Sequence, residues 1–152
     1  MHIYLGYDHA GKVLKESVMQ SIDALGATVV DLGSTGDMHD DYPDFALVVA
    51  EKVSEDPSAK GILICGTGAG MAIAANKVSG IRAATADTEE TARLIRAHND
   101  ANILALAGRI IAPELAQKII TTFLTTDFAG GRHQRRVNKI IAIEQHIPLA
   151  NS

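Results

Sequence analysis

The sequence is poor in aromatic side chains and has a single cysteine. Tryptophan is absent, and Trp, Tyr and Phe together make up 4% of the residues, which argues against an aromatic stacking surface for sugars or single-stranded nucleic acid. Cys65, the one cysteine, cannot form a disulfide within the chain. A free thiol suits the reducing cytoplasm, where we expect this protein.

An excess of positive charge and long apolar runs are also missing. The formal net charge is −4, which argues against a general nucleic-acid surface, although a local basic cluster could still bind a small anion. No run reaches the ~18 apolar residues of a membrane span. The first residues, MHIYLGYDHAGK, have neither the basic nor the apolar region of a signal peptide. We therefore expect no membrane partner and no nucleic-acid partner.

Short apolar segments alternate with helical patterns along the 152 residues. The predicted strands are His2–Tyr7, 27–32, 61–65, 80–84 and Ile103–Ala107. The predicted helices are 13–25, 43–54, 69–77, 88–97, 113–122 and 132–146, with Gly26 ending the first and Thr88 capping the fourth. Five strands alternating with helices predict βαβ units and a parallel sheet covered on both faces, an α/β fold. No repeat or linker divides the chain, so we expect one domain over residues 1–152.

The stretch 61–77, GILICGTGAGMAIAANK, carries the strongest chemical signal. An apolar strand ends in Cys65, a glycine-rich turn follows at 66–70, and a segment of small residues is then predicted to be helical. Glycines let backbone N–H groups approach an anion, and the same groups stabilise a thiolate. Cys65 is therefore either the reactive group of an anion site or a small buried apolar residue, as most lone cysteines are.

Polar side chains follow three of the predicted strands. Asp8 and His9 come after the first strand, Cys65 ends the third, and Arg109 follows the fifth. Ligands of open parallel sheets bind beyond the carboxyl ends of the strands, so we expect these residues to line one crevice. His98 precedes the fifth strand, in a segment (98–102) that we predict to be a loop. It reaches the crevice only if this loop bends over it or if a neighbouring subunit supplies it.

Two glycine motifs match nucleotide-binding signatures only in part. Residues 6–13, GYDHAGKV, nearly match a P-loop, but Val13 lacks the hydroxyl that binds magnesium. In residues 66–70 the third glycine comes one position too early for a dinucleotide fingerprint, although Asp87 lies about 20 residues further on, where an acidic ribose ligand is expected. A nucleotide-binding module is therefore disfavoured.

Three further polar groups each allow two interpretations. His98 is either a loop histidine bonded to the backbone or a general acid/base. Arg132 and Arg136, at i and i+4 on one helix face, either grip a phosphate together or form a solvated basic face. The acidic loop 37–41, which contains His39, lacks a recognised metal-ligand spacing, so we expect a solvated loop and no metal.

Four motifs in order along the chain resemble the ribose-5-phosphate isomerase B family, which includes the galactose-6-phosphate isomerase subunits. They are GYDHAG, CGTGAGMAIAANKVSGIRAA, HNDANILALAGR and GGRHQRRV, and they span nearly the whole chain. The resemblance implies a Rossmann-like three-layer α/β/α sandwich with a five-stranded parallel sheet and no cofactor. It also implies a homodimer or homotetramer with active sites at the subunit interface, and a C-terminal helix (about 131–146) that packs on a partner subunit. The implied substrate is a small sugar phosphate: D-ribose 5-phosphate is converted to D-ribulose 5-phosphate without metal.

The resemblance also implies roles for individual residues at the reacting end of the sugar. Cys65 is similar to the base that moves a proton between C2 and C1 through a cis-enediolate. Thr67 matches the hydroxyl near O1 and O2. The backbone N–H groups of the glycine-rich turn at 66–70, here called the glycine nest, would stabilise the enediolate oxygens. The glycines of this nest are Gly66, Gly68 and Gly70.

Ring opening and phosphate binding are implied for residues elsewhere in the chain. His98, with Asp8 nearby, resembles the group that opens the furanose ring, and Asn99 matches a polar contact to the intermediate. The phosphate and the sugar hydroxyls would be held by basic side chains, some supplied by the partner subunit: His9, Arg109, Arg132 and Arg136.

One branch of the family uses a glutamate after the nest in place of the cysteine. Met71 stands in that turn, and no acid occurs between Gly66 and Asn76, so the chain resembles the cysteine branch. Two alternatives remain open: an isomerase of a hexose 6-phosphate, such as galactose 6-phosphate or allose 6-phosphate, and a non-catalytic sugar-phosphate sensor.

Overall fold

The predicted strands and helices are all present, with several ends shifted by a few residues. The computed structural model describes residues 1–149. The strands are β1 (His2–Tyr7), β2 (Thr28–Asp31), β3 (Lys60–Cys65), β4 (Ala83–Thr85) and β5 (Ile103–Ala107). The helices are α1 (Lys15–Ala24), α2 (Tyr42–Glu55), α3 (Ala69–Ala75), α4 (Glu89–Asn99), α5 (Pro113–Thr125) and α6 (Arg132–Glu144). Within the described range, no helix is both long and apolar enough to cross a membrane.

The strands form one parallel sheet in the order β2-β1-β3-β5-β4. β3 lies at the centre, where Tyr7 of β1 pairs with Ile64 and Ala107 of β5 pairs with Cys65. The carboxyl ends of β1, β3 and β5 therefore meet side by side. This edge of the sheet is the one at which a ligand is expected to bind.

Alternating side chains of the sheet supply two cores. Ile62 and Ile64 of β3 face helices α1, α4 and α5, whereas Leu63 and Cys65 face α2 and α3. Each fully buried aliphatic side chain contributes about 1.5–3 kcal/mol to folding. Because both faces are covered by helices, the fold is the expected three-layer α/β/α sandwich.

Two predicted caps are confirmed. Gly26 has φ +64°, the left-handed conformation that glycine supplies at the end of a helix. The Thr88 hydroxyl accepts a hydrogen bond from the backbone N–H of Thr91 at 3.0 Å, which makes Thr88 the N-cap of α4.

The prediction that His98 begins a loop is wrong. α4 continues through His98 and ends at Asn99, and its C-cap is Asp100, whose φ is 48°. Arg96, four residues before Asp100, donates to its carboxylate at 2.8 Å and to the Ala101 carbonyl at 2.7 Å. These bonds stabilise the last helical turn, which the polar composition of the segment concealed.

The predicted start of β4 is also wrong. Gly80 has φ +81°, and the strand begins only at Ala83. The side chain of Asn76 bonds both the N–H and the carbonyl of Ala83, each at 2.8 Å. β4 is only three residues long, and Asn76 bonds the backbone of its first residue while the strand pairs with β5.

The last helix, α6, packs against α4. Arg96 donates to the Thr126 carbonyl at 3.3 Å, and the Ala129 N–H donates to the Ala97 carbonyl at 2.9 Å, so the segment leading to α6 is tied to α4. His133 and Val137 are the buried residues of α6, whereas Ile140 and Ile143 are exposed. The helix therefore presents an uncovered apolar side.

Candidate active site

A cleft of about 370 Å³ lies at the carboxyl edge of the sheet. It is formed by the segments that follow β1, β3 and β5, together with the start of α2. Backbone hydrogen bonds continue past the strands, from Asp8 to Ile64 and from Gly108 to Cys65, and they hold these segments together. The residues that line the cleft are Asp8, His9, Ala10, Tyr42, Cys65, Gly66, Thr67, Gly70 and Arg109.

Cys65 lies in the floor of this cleft with 4% of its surface exposed. Its sulfur accepts a hydrogen bond from the backbone N–H of Gly68 at 3.2 Å. The thiolate is the reactive form of cysteine, and this N–H group can donate to its sulfur. The thiol is thus almost buried, yet it faces both the glycine nest and the cleft.

Two glycines of the nest are required by the geometry. Gly68 has φ +77°, and a Cβ atom there would lie 3.0 Å from the backbone of Leu106. A Cβ atom at Gly70 would lie 2.6 Å from the ring of Tyr42. Larger residues at these positions would displace either the donor to Cys65 or the Tyr42 side of the cleft.

Asp8 is buried and holds the turn that follows β1. Its side chain accepts the Gly11 N–H at 2.8 Å, and its carbonyl accepts the N–H groups of Gly11 and Lys12. A Cβ atom at Gly11 would lie 2.1 Å from the carbonyl oxygen of Ile64, so close packing on β3 explains this glycine. Lys12 bonds the Thr35 carbonyl at 3.1 Å and does not line the cleft. The P-loop-like pattern is therefore accounted for by packing.

His9 is paired with an acid that the sequence pattern did not single out. Its Nδ1 lies 3.0 Å from Oδ1 of Asp40, in the loop predicted to be merely solvated. Burial acts to raise the pKa of Asp40, but hydrogen bonds from the Ser34 hydroxyl and from His9 outweigh it, so this pKa lies below its ordinary value of 3.8. Tyr42, also missed, follows the same loop and lines the cleft. The sequence could have identified Tyr42 from its place at the start of the helix after β2, because such strand-to-helix connections lie at the ligand-binding edge of a parallel sheet.

Arg109 supplies an unpaired positive charge at the rim. Its side chain runs beside Gly66, where a Cβ atom would lie 3.3 Å from Nη1 of Arg109. Among residues 1–149, the guanidinium of this exposed arginine has no ion pair or hydrogen bond of its own. A free guanidinium at the mouth of a cleft is suited to an anion such as phosphate.

The remaining predicted residues do not line the cleft of their own chain. α4 runs from the carboxyl edge of the sheet to the amino edge, and it carries His98 and Asn99 at its far end. Asn99 instead lines a separate cavity of about 480 Å³ that also contains Arg82 and Glu144. No loop bends His98 over the crevice of its own chain, so the first of the two routes considered from the sequence is wrong.

Arg132 and Arg136 are exposed in the first turns of α6, close to His98. They share a helix face, and neither has an ion pair with any other residue of the described chain. Between them in sequence, His133 is buried and stacks on His98. Burial lowers the pKa of His133 below its ordinary value of 6.5, and the nearby side chains of His98, Arg132 and Arg136 lower it further. These side chains form a second, strongly basic group.

The chain is similar to known proteins along nearly its whole length. A sequence model of the ribose/galactose isomerase family matches residues 3–140. Ribose-5-phosphate isomerase B of Escherichia coli strain K12 is 44% identical over 143 residues, which cover 94% of this chain and 96% of that protein.

Solved structures agree with this similarity. Ribose-5-phosphate isomerase B of Clostridium thermocellum has a TM-score of 0.92 and 49% identity, covering 96% of this chain and 99% of that one. The Mycoplasma genitalium ribose-5-phosphate isomerase B with bound ribulose-5-phosphate has a TM-score of 0.91 and 46% identity, covering 95% of this chain and 96% of that one. This chain therefore belongs to the ribose/galactose isomerase family.

Proposed function

We propose that the protein is an aldose–ketose isomerase that interconverts D-ribose 5-phosphate and D-ribulose 5-phosphate. The observation that carries this proposal is the nearly buried thiol of Cys65, which accepts the Gly68 N–H at 3.2 Å and faces a cleft rimmed by His9 and Arg109. A base beside backbone donors is what proton removal next to a carbonyl requires. The similarity to ribose-5-phosphate isomerases B supports the choice of substrate.

In the proposed reaction the Cys65 thiolate removes the proton from C2 of the open-chain aldose. The electron pair moves into a C1–C2 double bond, and the carbonyl oxygen O1 becomes an enediolate oxygen. Backbone N–H groups of residues 66–70 and the Thr67 hydroxyl stabilise that charge. The thiol then returns its proton to C1, and the proton of the O2 hydroxyl passes to O1, which yields the ketose with a carbonyl at C2 and a hydroxyl at C1. The step needs no oxidant, because the electrons move only within the sugar.

We further propose that the partner subunit completes each site in a homodimer or homotetramer. His98, Asn99, Arg132 and Arg136 are the residues expected from the partner, where His98 would open the furanose ring and the arginines would hold the phosphate. Their absence from the cleft of their own chain supports this arrangement. So does the exposed apolar side of α6, which includes Ile140 and Ile143. A single domain in the cytoplasm, with α6 against the partner, is part of the same proposal.

The test is to incubate the protein with ribose 5-phosphate, galactose 6-phosphate and allose 6-phosphate, in the presence of a metal chelator, and to follow ketose formation. Rapid turnover of the pentose is expected, together with loss of turnover but retained sugar-phosphate binding in Cys65→Ala. Preference for a hexose phosphate would move the substrate assignment to the six-carbon alternative. Binding without turnover of any sugar would identify a sensor, and an active Cys65→Ala variant would refute Cys65 as the base.

A further inference from the structure

His9 makes two hydrogen bonds to one oxygen atom of Asp40. The ring Nδ1 lies 3.0 Å from Oδ1 of Asp40, and the backbone N–H of His9 donates to the same oxygen at 3.3 Å. The two residues are 31 positions apart, so the bond joins the turn after β1 to the acidic loop before α2. Both the main chain and the ring of His9 are thus oriented by a single carboxylate.

The protonation of this pair follows from its surroundings. The Asp40 side chain is 14% exposed, and its pKa lies below the ordinary value, because the Ser34 hydroxyl and His9 outweigh the effect of burial. Asp40 is therefore ionised at neutral pH and can only accept hydrogen bonds, so Nδ1 of His9 must carry a proton. The other ring nitrogen, Nε2, lies on the opposite edge of the ring and is the one available to a ligand.

A carboxylate near an anion-binding cleft would normally repel the anion. Here the imidazole stands between Asp40 and the cleft, and its own side chain remains one third exposed (33%). An imidazole bonded to a carboxylate on one side can hold protons on both nitrogens and donate the second to a phosphate oxygen on the other side. The His9 ring thus separates the negatively charged loop from the cleft.

We propose that Asp40 is a positioning residue for the ligand-binding histidine: it holds His9 with Nδ1 protonated and Nε2 directed to the cleft, where Nε2 donates to a phosphate oxygen. This proposal rests on the proposed function for the identity of the ligand, but the orientation of His9 can be measured without any turnover.

The experiment compares Asp40→Ala, Asp40→Asn and the control Asp37→Asn. Asp37 lies in the same loop but is exposed, and its side chain accepts the nearby N–H of His39. In Asp40→Ala, KM for ribose 5-phosphate and the inhibition constant of inorganic phosphate should both rise about 10-fold, the effect of weakening one charge-assisted hydrogen bond. Because the reacting carbons are remote, kcat should change less than about 2-fold. Asp40→Asn keeps an acceptor, so its KM and inhibition constant should lie between those of Asp40→Ala and those of the unchanged control.

The second readout is the ring-nitrogen NMR signals of His9, assigned by comparison with His9→Asn. The wild type should show a protonated Nδ1, whereas Asp40→Ala should show a mixture of tautomers. Unchanged His9 signals in Asp40→Ala, or unchanged phosphate inhibition, would overturn the proposal. If the wild type isomerises no sugar phosphate, the proposed function fails, while the NMR signals and direct titration with inorganic phosphate still decide the role of Asp40. Asp40→Asn provides the same comparisons if the alanine variant does not fold.

Discussion

The imidazole rings of His98 and His133 lie parallel, with centroids 4.0 Å apart and 8° between their planes. The stack joins the end of α4 to the first turn of α6, and it places His98 beside Arg132 and Arg136. Since two stacked imidazolium ions would repel each other, the pair favours a single charge, and the buried His133 is the member whose pKa is lowered. The stack thus pairs a buried ring whose pKa is lowered with the ring that is proposed above to open the furanose.

Replacing His133 should change how stability depends on pH. The pKa of His133 is lowered in the folded protein, so between that lowered pKa and about 6.5 the unfolded chain binds more protons than the folded one. Stability therefore falls as pH drops through this window. His133→Phe keeps a flat ring but cannot titrate, and it should reduce the loss of unfolding free energy between pH 7.5 and pH 5.5. Urea denaturation at both pH values and one fixed protein concentration measures this, and an unchanged loss would contradict it.

Mixing two inactive variants should restore activity if the site is shared between subunits. Cys65→Ala lacks the proposed base, and His98→Asn lacks the proposed ring-opening group. In a refolded equimolar mixture half of the dimers are mixed, and each mixed dimer has one intact site of two, so about a quarter of wild-type activity should return. A mixture that stays inactive, although mixed dimers are shown to form, would place both residues in a site within one chain.

Arginine substitutions at the start of α6 should affect substrate binding far more than turnover. Arg132→Ala and Arg136→Ala each remove a proposed charge-assisted contact to phosphate, so KM should rise about 10- to 100-fold with little change in kcat. Arg135→Ala is the control for exposed charge in the same turns, because Arg135 lies about 100° around the helix from Arg136 and about 60° from Arg132. Steady-state kinetics with ribose 5-phosphate measure KM and kcat for the three variants. Equal effects at all three positions would indicate a general charge effect.

Gly68→Ala should impair both stability and catalysis, whereas Gly26→Ala should affect only stability. Both glycines are left-handed, with φ +77° and +64°, so an alanine costs about 1–2 kcal/mol at either position. At Gly68 the added Cβ would also lie 3.0 Å from the Leu106 backbone, and it would shift the N–H that donates to Cys65. Thermal denaturation and kcat measure the two effects. A Gly68→Ala variant as active as Gly26→Ala would show that this donor does not support the thiolate.

The alternation of apolar segments predicted the number and order of strands, because a buried parallel strand and an amphipathic helix each impose a strong local pattern. Element ends were predicted less well. His98 and Asn99 lie in the last turn of α4, where Arg96 bonds to Asp100, and β4 begins only at Ala83, after Gly80 with φ +81°. Neither side-chain hydrogen bonds nor a left-handed glycine leaves a periodic pattern in the sequence.

The sequence by itself determined the α/β class, the glycine turn after Cys65 and the motifs of the isomerase family, because each depends on residues close together along the chain. Only the tertiary structure decided which polar side chains share a cleft. The strand order β2-β1-β3-β5-β4 brings Asp8, Cys65 and Arg109 together, while the direction of α4 carries His98 to the opposite edge of the sheet. Asp40 reaches His9 from 31 residues away, and such a pairing arises from the packing of a loop on the sheet, which local periodicity does not encode.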